Sequence, residues 1–278
     1  MTGLYTYHTN NIGDDFQSYV LSHVLKDPVG FVNRDRVREY QGPVTNLIVN
    51  GFVTMQALPI PSALNPIILS AWLGPMLLSK KENVSYLRDI GLIGCRDTDS
   101  FGRCRELGLE AKMTGCPTIL CEPIAEEEPG TILFVDVNPR LFENHREHYR
   151  KTSPISRPIQ WITNIVPTLL SEEERWEQCR KRHEWMSRAE LIVTNRIHVA
   201  IPALGMGKAV IFAKDDISIP GRLTALPKSV RIWEGGECAG VELDPAQHRY
   251  EVADYRDRVI RELRIRCPKI IEEDSLAS

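Results

Sequence analysis

Between Leu191 and Phe212 the chain reads LIVTNRIHVAIPALGMGKAVIF, two apolar runs on either side of a helical repeat. Leu191–Val193 suits a buried strand, and Ala209–Phe212 suits a neighbouring one. Val199, Ile201, Ala203 and Leu204 fall on a helix between them, ended by Gly205 and Gly207. Thr194 and Asn195 stand where a helix starting near Ile197 takes its cap. Arg196 and His198 sit at the strand-to-helix turn of this β-α-β unit. Open α/β sheets bind ligands at that end of the strand. A permanent cation and an imidazole titrating near neutrality, set at a helix start, suit an anionic substrate and proton transfer. A surface or capping residue would occupy the same place, so other segments must decide.

The same alternation runs along the rest of the chain. Leu4–His8, Asn46–Val53, Ile90–Cys95, Ala111–Met113, Thr131–Val137, Pro158–Thr163 and Val230–Trp233 read as strands. Helices are expected over Phe16–Leu25, Ile67–Leu78 (broken at Gly74-Pro75), Ser100–Leu107, near Pro139–Arg150, over Glu172–Ser187 and, at the end, over about Pro245–Arg266. Asp97 and Asp99 read as caps of the helix that follows Arg96. Asp215–Gly221 reads as a loop. The acidic, Pro-Gly-terminated stretch Ala125–Gly130 is the best linker, and the pattern restarts after it. The pattern predicts two α/β layers facing a cleft, with domains at 1–126 and 127–244 and the terminal helix, about 245–266, packing back on the first.

Composition narrows the function classes. With 278 residues and a formal net charge of −3, the chain has room for two ordinary domains and no global field to draw nucleic acid. Its 7 cysteines include no C-x-x-C, and His145 and His148 lie among charged residues, so no metal site is expected. Cys116 in TGCP has no His near in sequence and reads as a small buried residue. The start, MTGLYTYHTNN, lacks a signal-peptide pattern, so a reduced, cytoplasmic protein is expected. Gln41–Ser79 carries no charged side chain, but its prolines argue against a spanning helix and for a buried strand followed by a proline-shaped loop. That leaves room for a peripheral membrane contact or a homo-oligomer. No Walker loop and no G-x-G-x-x-G is present.

The polar turns that follow predicted strands converge if both sheets point those ends at the cleft. They carry Asn11, Gly13 and Asp14; Asn50; Arg96; Asn138; Thr163 and Asn164; and Asn195, Arg196 and His198.

Several of these segments resemble the polysaccharide pyruvyl transferase family. They are NIGDDFQSYVL, NGF with PIPSALNPIILSAWL, YLRDIGLIGCRDTDSFGRCRELGLEAKMTGCPT, VTNRIHVAIPALGMGKAVIF and DDISIPGRL. The resemblance runs in order from about Asn10 to Leu226. Phe52 stands where one branch has Trp, and the strand ending at Thr163-Asn164 lacks a His. The resemblance implies a GT-B-like fold and a transferase that forms a pyruvate ketal on a sugar of a polysaccharide or glycan precursor. Phosphoenolpyruvate is the implied donor and no cofactor is called for. It implies His198 as general acid/base and Arg196 as anion clamp. Arg96, Asn195, Asn138, Thr163 and Asn164 are expected on the donor side, and Asn11, Gly13, Asp14 and Asn50 on the acceptor side. Asp14 would equally serve as a helix cap. Two other functions fit the same layout: a GT-B glycosyltransferase using a nucleotide sugar, and a glycan-binding or assembly protein without chemistry.

Overall fold

Strands buried on both faces must be apolar almost throughout, and the short runs read from the sequence meet that demand by building two parallel sheets. The structure, a computed structural model, describes residues 2–25, 29–142, 159–214 and 220–268. The first sheet contains β1 (Thr2–Thr6), β2 (Val29–Asn33), β3 (Thr45–Val53), β4 (Leu64–Leu73), β5 (Ile93–Cys95) and β6 (Ala111–Met113), in the order β2-β1-β3-β4-β5-β6. The second contains β7 (Ile132–Val135), β8 (Ile159–Ile162), β9 (Leu191–Thr194), β10 (Ala209–Lys214) and β11 (Ile232–Glu234), in the order β11-β10-β9-β7-β8. Every pairing among these described strands is parallel. Two parallel sheets with flanking helices are the fold class expected from the alternation.

Strand order reverses between β1 and β3 in the first sheet and between β7 and β9 in the second. Ligand crevices of open α/β sheets lie beyond the carboxyl ends of strands at such points. The helices that start there are α1 (Ile12–Val24), after β1, and α6 (Ile197–Gly205), after β9. The remaining helices are α2 (Pro75–Leu78), α3 (Lys81–Ile90), α4 (Thr98–Glu106), α5 (Glu172–Arg188), α7 (Pro220–Leu223) and α8 (Ala253–Arg266). None of them is long and apolar enough to cross a membrane.

The expected helix over Ile67–Leu78 is corrected. Leu64–Leu73 is β4, paired with β3 from Thr45↔Leu64 to Val53↔Leu73, and only Pro75–Leu78 is helical. Periodicity does not separate a buried strand from a buried helix. Here β-branched Ile67 and Ile68 and aromatic Trp72 suit the pleated surface between β3 and β5. The uncharged segment Gln41–Ser79 is therefore two central strands joined by a short connection, not one strand and a loop. β2 and α3 carry no distinct apolar signal in the sequence, and the structure adds both. The terminal helix begins at Ala253, with a separate 3-10 turn at Pro245–Gln247. Most of the helix expected near Pro139–Arg150, together with His145 and His148, lies outside the described residues, as does most of the Asp215–Gly221 loop.

One apolar cluster joins the two halves. It runs from Phe16, Val20 and Leu21 of α1 through Ile119 and Leu120 to Val199, Ile201 and Leu204 of α6, and on to Val259 and Leu263 of α8. At its edge α1 meets α5 through a buried ion pair. Arg175 donates to the Asp15 carboxylate from Nε at 2.9 Å and from Nη2 at 2.5 Å, and Nη2 also reaches Thr9 O at 2.8 Å. Asp15 also accepts from the Tyr7 N–H. α8 returns to the first sheet through Lys112–Glu262 and through Arg266, whose Nη1 donates to Ile68 O and Leu92 O.

Removing one partner of a buried pair leaves a charge without compensation, which costs about 3–5 kcal/mol. Arg175→Met is expected to lose stability in that range, read from urea unfolding. A loss within about 0.5 kcal/mol, the usual range for a surface change, would show that the pair does not secure the seam.

Candidate functional site

The carboxyl ends of the two sheets meet, the turn after β1 touching the turn after β8. Asn11 and Ile165 form an antiparallel bridge, Ile12 N donates to Asn164 O at 3.0 Å, and Val166 N donates to Asn10 O at 2.8 Å. Asn11 caps α1, its Oδ1 accepting from Gly13 N at 3.1 Å. A Cβ on Gly13 would lie 3.0 Å from His198 Cβ, so the missing side chain is what lets α1 start against α6.

His198 sits in the first turn of α6 and is 7% exposed. Arg96, at the end of β5 and 1% exposed, donates from Nη1 to His198 Nε2 at 2.7 Å and to Gln17 Oε1 at 3.3 Å. A guanidinium has no acceptor, so Nε2 must accept and the ring hydrogen of a neutral imidazole lies on Nδ1. That nitrogen is 3.9 Å from Asp14 Oδ1. Burial, then the charges of Arg96 and Arg222, push the imidazole pKa well below its ordinary 6.5. The expectation of a group titrating near neutrality is thus corrected for the unliganded site. Burial shifts Asp14 the other way. Its carboxyl is raised above the ordinary 3.8, against the opposing effects of Arg34, a Thr9 hydrogen bond, Arg96 and Arg222. Asp14 does not cap α1; it accepts from Thr9 Oγ1 at 3.1 Å and from Asn11 Nδ2 at 3.4 Å.

Arg196 is less free than an anion clamp alone would be. Its Nε donates to Asp136 Oδ2 at 2.8 Å. Asp136 follows β7 with φ of 53° and also accepts from Thr163 Oγ1 at 2.6 Å and from Asn164 N at 3.1 Å. Thr163, Asn164 and Arg196 are therefore gathered on one carboxylate. Asn164 is also occupied by the seam, its Oδ1 accepting from Arg182 Nε at 3.3 Å. Thr194 does not cap α6 through its end; its Oγ1 accepts from Arg196 N and donates to Val135 O. Asn195 lies beside Arg196, half-buried in the same turn. Asn138 is exposed and turns back on its own chain, its Oδ1 accepting from Arg140 N at 3.0 Å.

Asn50 lies in a bulge of β3, where the register with β4 shifts between Val49 and Gly51. It is 0% exposed, its carbonyl accepts from Tyr7 Oη at 2.9 Å, and among the described residues neither end of its side-chain amide has a partner. Gly51 beside it has φ of 68°, and a Cβ there would lie 2.8 Å from Gln17 Nε2. The bulge thus sets Gly51 against the Gln17 that also holds Arg96.

The structure therefore brings together Asn11, Gly13, Asp14, Arg96 and His198, sets Arg196, Thr163 and Asn164 around Asp136, and leaves Asn50 on Tyr7. Sequence reading missed Asp136, Arg222, Gln17 and Tyr7. Asp136 was within reach of the rule that found Asn138, since it is the first polar residue after its strand. Arg222 gave no such signal, because it follows no strand end. Cys116, expected in the interior, is buried with Sγ 3.1 Å from Thr118 Oγ1. Among the described residues no group of three or more His, Cys, Asp or Glu is arranged to hold a metal ion.

Comparison with known proteins bears on this site. Residues 78–213, which carry both Arg96 and His198, match the family model for polysaccharide pyruvyl transferase. No curated protein sequence matches the chain. Among solved structures, a functionally uncharacterized protein of Klebsiella pneumoniae aligns at a TM-score of 0.42 and 14% identity, over 80% of this chain and 86% of that one. Accessory secretory proteins 1, 2 and 3 of Streptococcus pneumoniae align at 0.42 and 12%, over 83% of this chain and 51% of that one. At these scores neither likeness adds to the argument. The family match falls on the segment that supplies the contact between Arg96 and His198, and over residues 78–213 the chain is similar to the polysaccharide pyruvyl transferase family.

Proposed function

We propose that the protein transfers the pyruvyl group of phosphoenolpyruvate to two hydroxyls of one sugar in a glycan, forming a ketal and releasing phosphate. The 2.7 Å contact between Arg96 and His198 carries this reading, because it sets a buried cation and a buried imidazole together where the two sheets meet.

The chemistry needs a proton at C3 of the enol to make C2 electrophilic. The first sugar hydroxyl attacks C2 and gives up its proton. Phosphate then leaves with the C2–O bonding pair, and the second hydroxyl closes the ketal. The two hydroxyl protons end on the new methyl group and on phosphate, so the step balances. His198 is the acid/base group in this scheme. Burial, with Arg96 and Arg222, keeps it neutral. A bound polyanion offsets those cations and raises the imidazole pKa, so the acid becomes charged when the donor is present. Asp14, whose carboxyl is already raised, lies 3.9 Å from Nδ1 and favours the charged ring once it ionises. Arg96 supplies a fork for the donor, with Arg196 positioned by Asp136 beside it. Asn50 offers an unpartnered amide to a sugar hydroxyl. In this reading the donor is held by the second sheet's turns and Arg96, and the acceptor lies toward the first sheet.

Phosphate release from phosphoenolpyruvate with a panel of glycans is the direct test. Protection of the protein from thermal unfolding by nucleotide sugars and not by phosphoenolpyruvate would overturn it in favour of a glycosyltransferase. His198→Gln is expected to lower turnover by about 10² to 10⁴, the usual share of a general acid–base group. Donor binding is expected to take up a proton near neutral pH, seen as a buffer-dependent binding enthalpy, and His198→Gln should remove that dependence.

The depressed pKa also sets a sign for stability. The unfolded chain takes up the His198 proton first, so this group's stabilising share is lost as pH falls below about 6.5. The stability difference between His198→Gln and the wild type should therefore shift in favour of the variant as pH is lowered from 7 to 5, whatever other groups contribute. A difference that stays flat would mean that the imidazole titrates normally.

A further inference from the structure

Trp72 follows Ala71 on β4 and faces its register partner Phe52 on β3, with ring centroids 4.9 Å apart. Two guanidinium groups come to the indole. Arg103 of α4 has its Cζ 5.9 Å from the ring centroid, and Arg222 of α7 has its Cζ at 5.5 Å. They arrive from different halves of the molecule. Thr98 at the start of α4 donates from its N–H and hydroxyl to Thr224 Oγ1, at 2.9 and 3.1 Å, which ties the Arg222 segment to α4. Gly221 makes the approach closer still, since a Cβ there would overlap the Asp99 carboxylate.

Arg103 Nε donates to Leu73 O at 3.2 Å, but other donors around this indole lack acceptors among the described residues. Trp72 Nε1, Arg103 Nη2 and Arg222 Nε are all shielded from solvent without a hydrogen-bond partner, and so is Nε of Arg96. Buried indole N–H groups normally find a partner, and a buried donor left unmade costs about 1–3 kcal/mol. Carboxylates do not fill the gap. Arg103 Nη1 is 4.0 Å from Asp99 Oδ2, and no ion pair to Arg222 occurs among the described residues. Burial and the like charge of Arg96 pull the Arg222 pKa down, while Asp14 and Asp97 oppose the shift. A cluster of donors with so little negative charge in contact is shaped for an acceptor brought from outside.

We propose that Arg222, Arg103 and the Trp72 indole N–H form an oxyanion site, next to the Arg96–His198 pair, that takes a phosphate or carboxylate group. If the pyruvyl-transfer reading holds, this site receives the phosphate that leaves C2. An acidic group on the acceptor glycan is the other source of the same chemistry.

Inorganic phosphate titrated into the full chain by calorimetry tests the site without any turnover. Arg222→Gln is expected to weaken phosphate at least tenfold. Arg103→Gln should weaken it several-fold, and so should Trp72→Phe, which keeps the ring and removes only the N–H. Circular dichroism and melting temperature check that each variant folds; should Arg222→Gln fail to fold, the other two carry the test. Wild-type affinity in all folded variants would overturn the site, as would no binding of phosphate or phosphoenolpyruvate by the wild type. Competition between phosphate and phosphoenolpyruvate assigns the site to the donor. Simultaneous binding, with Arg222→Gln weakening only carboxylate-bearing glycans and phosphate, assigns it to the acceptor. Arg222-dependent phosphate binding without any phosphate release from phosphoenolpyruvate would sustain the site and remove the pyruvyl-transfer reading.

Discussion

A guanidinium held against an imidazole is the constraint around which this structure is arranged. Arg96 and His198 come from different sheets, and both are buried. Two basic groups tolerate that proximity only if one stays uncharged. The neutral ring then fixes its own tautomer, with Nε2 accepting and Nδ1 turned to Asp14. Everything nearby serves that geometry. Gly13 lets one helix start against the other, and Gln17 holds the second guanidinium contact. The Asp15–Arg175 pair keeps α1 and α5 together behind it.

The electrostatic consequence is a site whose two facing titratable groups both favour their neutral forms. Burial sets the His198 imidazole and the Asp14 carboxyl toward their neutral forms, lowering one pKa and raising the other. Asp136 has the complementary role in the neighbouring turn. By taking Arg196, Thr163 and the Asn164 N–H together, it balances one cation, while among the described residues no carboxylate lies at ion-pairing distance from Arg96 or Arg222.

Much of this was legible along the chain. Strands and helices alternate with a period that needs no tertiary information, so β9, α6 and β10 stand where the apolar runs put them. The turns after strands supplied Asn11, Asp14, Asn50, Arg96 and His198 by one rule about carboxyl ends. The rule failed where local chemistry could satisfy itself, as Asn138 does with the Arg140 N–H. The misread stretch was Leu64–Leu73, where the pattern of apolar residues is the same for a strand and a helix and only the neighbours β3 and β5 decide. What no local pattern could carry is charge state. The shift at His198 comes from burial and from Arg96 and Arg222, residues that are neighbours only after folding. Arg222 itself lies on a short helix that reaches the indole of Trp72 through a contact between halves.

The seam has a consequence for the order in which the molecule becomes competent. Asp15 and Arg175 are separated by 160 positions, and Arg96 and His198 by 102. During synthesis the first sheet can emerge whole while Asp15 still lacks its counterion. No element of the Arg96–His198 contact exists until the chain has passed residue 198. Closing such long loops costs entropy before any contact repays it. Both contacts thus require a chain that carries both sheets, and any truncation between the two sheets separates a carboxylate from its cation as well as a guanidinium from its imidazole.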